Sequence, residues 1–120
     1  MRELLFALIT VFMLSAPLSA FADDPALSFA MREGSNAEAH KHNEEGINHY
    51  NQGHYEIALK HFKMASKIDP SAGEAHYNEA LSLDKMGNHG DAAMHFKAAQ
   101  KNAHGNEKIL NSGILKAHLR

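Results

Sequence analysis

Histidine is the residue whose chemistry stands out: ten copies in 120 residues, at 40, 42, 49, 54, 61, 76, 89, 95, 104 and 118, with no cysteine beside them. Three uses of imidazole fit that abundance. The ring can pack in half-buried positions while one nitrogen meets water or a carbonyl. It can ligate zinc, copper or nickel in its neutral form. It can also titrate, because the unperturbed group changes charge near pH ~6.5, so ten of them would turn a slightly acidic chain basic as pH falls.

Spacing limits the metal reading. Ligands on one helix converge only from positions three, four or seven apart, and the sequence has no His-x-x-x-His pair. His42 and His49 share a helical face, as do His54 and His61, but a seven-residue separation puts each pair roughly 10 Å apart along the axis. His42 and His76 are the candidate ligands, expected to approach each other across neighbouring helices. His61 and His95 are expected on an outer face with no further role.

Other chemistry is excluded more firmly. Without cysteine there is no disulfide, thiolate nucleophile or Cys-ligated zinc. No Gly-x-Ser-x-Gly and no phosphate-cradling glycine loop is present, and no carboxylate pair stands where a cleft would form, so no enzyme is expected and no cofactor. The net charge of −2 supplies no basic face for a nucleic acid.

The elements that position these residues begin after an address. Met1-Arg2 precedes an apolar run from Leu4 to Leu14, and Ala20-Phe21-Ala22 supplies a small-x-small cleavage site before Asp23-Asp24. Residues 1–22 therefore read as a secretory signal peptide, removed to leave no stable membrane anchor, with the mature chain expected in a bacterial periplasm. Residues 23–38 read as a linker, broken by Pro25, Gly34 and Ser35, with Leu27, Phe29 and Met31 able to pack on the domain.

The remainder repeats. A shift of 34 residues brings His42 onto His76, Glu45 onto Glu79, Gly53 onto Gly87, Ala58 onto Ala92, His61 onto His95, Phe62 onto Phe96 and Ala65 onto Ala99. Each unit (39–72 and 73–106) reads as two helices: 39–51 and 55–68, then 74–85 and 91–102. Gly53 and Gly87 suit the left-handed residue after a helix end, and Asp69-Pro70 stops the second helix. Apolar positions 58, 59, 62, 65 and 68 recur at helical spacing. A last helix, 107–119 within the segment 107–120, is expected to cap the exposed end with Ile109, Leu110, Ile114 and Leu115.

The run Gly46-x3-Tyr50-x2-Gly53-x-Tyr55-x2-Ala58-x3-Phe62-x2-Ala65-x4-Pro70 resembles a tetratricopeptide repeat, and the second unit resembles it through Ala80, Gly87, Ala92, Phe96 and Ala99. The match departs where His42 and His76 replace a large residue early in each first helix, and where Ala103-His104 replaces Asp69-Pro70. The resemblance implies an all-α fold: a short right-handed α solenoid of two helix-turn-helix units plus a capping helix. It further implies a concave groove that binds a protein or peptide, lined by His40, Asn43, Ile47, Tyr50 and Asn51 from the first unit and Glu74, Tyr77, Leu81, Asp84 and Lys85 from the second. Asn78 fits one position of the carboxylate clamp that some family members carry, but Asn43 and Ile47 replace other clamp residues, so that specificity is not expected. The alternative is a histidine-rich metal-binding or pH-responsive periplasmic protein. Two units are fewer than stacked repeats need for independent stability, so marginal stability or end-to-end stacking into a homo-oligomer is expected.

Overall fold

The computed structural model describes residues 24–30 and 32–120; the signal segment 1–22, Asp23 and Met31 lie outside the described residues. Within that range the chain is all-helical: α1 Ala37–Asn51, α2 Tyr55–Ile68, α3 Gly73–Lys85, α4 His89–Lys101, α5 Glu107–Leu110 and α6 Gly113–His118. No described helix is long and apolar enough to cross a membrane.

The helix ends follow local chemistry. Asn36 starts α1 two residues earlier than its apolar pattern implies, because its side chain accepts from the amides of Glu38 and Ala39. Gly53 and Gly87 close α1 and α3 at φ 79° and 83°, a conformation that costs glycine little. The three-residue links that follow return the chain, so α1 packs on α2 and α3 on α4, while α2 packs on α3. Phe62 and Phe96, fully buried, fill the middle of the two pairs, with Ala58, Ala65, Ala92 and Ala99 allowing close approach. Gly46 is required by this packing: a Cβ there would stand 2.5 Å from the Phe62 ring.

The terminal cap differs from expectation. Instead of one helix over 107–119 there are two short ones, because the chain breaks at Asn111 and Ser112. The Ser112 hydroxyl accepts from the Leu115 amide and so begins a new helix. The break turns Ile109 and Leu115 inward together, both fully buried in the main core.

The segment expected as a linker is not free. Residues 24–30 run extended, with Leu27 and Phe29 buried while Pro25, Ser28 and Ala30 face outward. That two-residue alternation is the mark of an extended chain lying on a surface. Leu27 joins the core around Tyr50, Tyr77 and Leu81, and Phe29 joins Ala39, Ala65, Ala72 and Ala75.

Candidate functional site: a groove holding an extended strand

The 24–30 segment lies across the first helices of the two pairs, and two asparagines hold it by its backbone. Asn78 on α3 accepts the Leu27 amide at 2.7 Å and donates to the Leu27 carbonyl at 2.8 Å. Asn43 on α1 donates to the same carbonyl at 2.9 Å, and its own oxygen accepts from Asn78 at 2.8 Å. Both asparagines are fully buried. Burial of four amide groups is tolerable only because each meets a partner, and the peptide unit of Leu27 is part of that set.

Both ends of the strand are tied by charge. Asp24 accepts from the Ser112 hydroxyl at 2.9 Å and from the Ile114 amide at 3.3 Å. At the other end, Arg32 pairs with the fully buried Glu74 at 3.4 Å, and that carboxylate also accepts from the Ala30 amide and from Asn106. The recognised pattern is thus an acid, an aliphatic three residues on, an aromatic after two more and a base after a further three.

The residues expected to line the groove divide into three groups. Asn43 and Glu74 hold the strand directly, and His40 packs edge-on against Phe29 with ring centres 5.9 Å apart. Tyr50, Tyr77 and Leu81 belong to the core cluster that Leu27 joins, and Ile47 packs against it. Tyr77 is 1% exposed, stacks edgewise on Phe96 and donates its hydroxyl to Ser112 at 2.8 Å. Burial pushes the Tyr77 phenol up to about 12, against the opposing effect of its Ser112 hydrogen bond. Asn51, Asp84 and Lys85 stand away from the strand's polar contacts: Asn51 is exposed, Asp84 pairs with His89 and His118, and the Lys85 ammonium lies 6.0 Å from the Tyr55 ring centre. Asn78, which the sequence matched to one clamp position but not to the groove lining, is the central residue of the grip.

The histidines form a second arrangement. On the first pair, His42, His61, His49 and His54 stack in a column, with ring centres 6.0, 5.4 and 5.9 Å apart in turn. Glu45 approaches His42 and His61 at 3.5 and 3.2 Å. On the second pair, Glu79 approaches His76 and His95 at 3.5 and 2.7 Å. His42 and His76, expected to meet each other, therefore stand in separate clusters, and His61 and His95, expected to need nothing, each complete one. Burial would raise the Glu79 carboxyl, but His76, His95 and Ser66 overcome that and hold it down to about 2. His76 is correspondingly raised, chiefly by Glu79 and despite burial.

Compared with known proteins, the chain matches no family model, no curated protein and no solved structure.

Proposed function

We propose that this chain is an exported tetratricopeptide-type α solenoid that holds an extended peptide against its first helices, and that its own residues 24–30 and Arg32 occupy that groove until a partner or a second copy replaces them. The supporting observation is the paired asparagine grip on both the amide and the carbonyl of Leu27. Such a grip reads backbone, so it accepts any extended segment whose side chains fit. Selectivity then comes from the two apolar seats under Leu27 and Phe29 and from the charged ties at each end. The tetratricopeptide reading rests on the repeated Gly, Ala and Phe positions, and export rests on the composition of residues 1–22. The role is that of an adaptor or assembly factor, engaged by a protein segment with the same acid-aliphatic-aromatic-base pattern.

A direct test uses a fluorescein-labelled peptide with the sequence of residues 24–32. Leu27→Asp with Phe29→Asp releases the strand without altering any helix, and the released protein should bind the peptide saturably. The unaltered protein should bind it at least ~10-fold more weakly, since a tethered competitor acts at an effective concentration near millimolar. No binding by a released variant that retains its helical circular dichroism would sink the proposal.

A further inference from the structure

The His76, Glu79 and His95 cluster has features that neither core packing nor the groove uses. His76 and Glu79 sit three apart on α3, and His95 reaches them from α4. A ligating atom from each of the three lies within 4.8 Å of the other two. The tautomer of His76 follows from its neighbours. Its Nε2 stands 2.9 Å from the Pro70 carbonyl, which can only accept, so Nε2 carries the hydrogen. The neutral ring then presents the Nδ1 lone pair to Glu79.

Glu79 is prepared in the same way. Its Oε1 accepts the Ser66 hydroxyl at 2.8 Å, which leaves Oε2 facing both imidazoles. The side chain is only 2% exposed, yet Oε2 takes part in no hydrogen bond of acceptable direction, and neither does Nδ1 of His76. In the neutral ring two lone-pair atoms face each other at 3.5 Å, and a third nitrogen stands 2.7 Å from the carboxylate. The three atoms are close enough together for one small ion to reach all of them.

We infer that His76, Glu79 and His95 form a binding site for a divalent borderline metal ion, zinc fitting best. Three protein ligands from two imidazoles and a carboxylate are an established zinc donor set, with a fourth position open to water. Tetrahedral zinc with ligand bonds near 2.0–2.1 Å spaces its ligands about 3.4 Å apart; His76 Nδ1 already stands 3.5 Å from the carboxylate, and His95 Nδ1, at 2.7 Å, would draw back to admit the ion. The outer contacts have the required form, since a ligating histidine ordinarily donates its other ring N–H to a carbonyl and a ligating carboxylate is itself hydrogen-bonded. Without cysteine, softer ions have no claim on the site.

The same three residue types recur one repeat earlier, at His42, Glu45 and His61, where Oε2 stands 3.5 and 3.2 Å from the two Nδ1 atoms. Among the described residues no hydroxyl or carbonyl holds Glu45 or His42 as Ser66 and Pro70 hold Glu79 and His76, so this is the weaker of two sites. Bound metal would clamp the two helices of each pair across their open side. The third cluster, Asp84 with His89 and His118, is different: both imidazoles make directed hydrogen bonds to Oδ1, and His89 is 67% exposed.

The test is isothermal titration of chelator-stripped, untagged full-length protein with zinc chloride, beside His95→Gln, Ser66→Ala and the control His54→Gln. His95→Gln should abolish the tighter event and leave the weaker one. Ser66→Ala keeps all three ligands and should lower that affinity ~10–100-fold, while His54→Gln should change neither event. Cobalt in place of zinc should give the intense visible bands of a tetrahedral site in the unaltered protein, lost in His95→Gln. A His95→Gln isotherm and cobalt spectrum that superimpose on those of the unaltered protein would overturn the inference. Zinc uptake lowered equally by His54→Gln and His95→Gln would also overturn it, since that is the behaviour of scattered surface histidines.

Discussion

Replacing Glu79 by glutamine in metal-free protein should change stability by an amount that depends on pH, with a maximum near pH 5.5. The structure sets both sides of that window. Glu79 is held down to about 2 from an ordinary 4.5. A depressed carboxyl contributes stability that is present above the unfolded value and lost as pH falls from about 4.5 towards 2. His76 is shifted the other way, so its contribution is present below about 6.5 and is lost as pH rises through its folded value. Both contributions coincide only between about pH 4.5 and 6.5. At 1.36 kcal/mol per unit, the Glu79 shift corresponds to about 3 kcal/mol. Solvent screening subtracts little, because the side chain is 2% exposed. The assay is urea unfolding in the presence of chelator, at intervals from pH 4 to pH 8, for Glu79→Gln and the unaltered protein. Glutamine retains the contact to Ser66 through its own oxygen, so the difference isolates the charge. A difference that is flat across the range, or that grows steadily towards pH 8, would refute the reasoning. Zinc should reverse the alkaline side, since metal binding requires deprotonated ligands and strengthens as pH rises.

Three glycines should respond differently to alanine. Gly46→Ala forces a methyl against the Phe62 ring and should cost about 1–3 kcal/mol in a thermal or urea melt. Gly73→Ala should cost more, because the added carbon would press into the Asn102 carbonyl, and backbone yields less than a side chain. Gly90→Ala meets nothing within 4 Å and should raise stability by up to about 1 kcal/mol. Ser112→Ala removes a helix cap together with the partner of both Tyr77 and Asp24. It should cost about 1–3 kcal/mol and speed exchange of amides in 113–118. In the unaltered protein, absorbance titration at alkaline pH should show Tyr77 resisting ionisation until about pH 12, or until the fold is lost.

The helices were legible because their signals are local and agree with one another. Apolar spacing, Gly53 and Gly87 at helix ends, and Asp69-Pro70 all mark the same boundaries. The broken cap was missed because Ile109, Leu110, Ile114, Leu115 and Leu119 keep helical spacing across the break. The contrary signal was Ser112-Gly113, a capping residue beside a helix breaker, and its weight comes from Tyr77 and Asp24, distant in sequence. The seated strand was only half legible. Leu27 and Phe29 alternate with exposed residues over too short a run to declare an extended segment, and the asparagines that hold it lie 16 and 51 residues away. The histidine clusters had a readable signal in the repeat itself, since His42, Glu45 and His61 return together as His76, Glu79 and His95. Spacing along single helices hid it, because the third ligand comes from the antiparallel neighbour.

The seated strand is the claim on which the functional reading depends, and hydrogen exchange of the amides in 24–30 tests it most directly. The Leu27 amide donates to a buried asparagine oxygen, so it should be protected well above the rate of an unstructured chain, and Leu27→Asp with Phe29→Asp should release that protection across the segment while α1 and α3 keep theirs. Exchange of Leu27 at the unstructured rate in the unaltered protein would contradict the account.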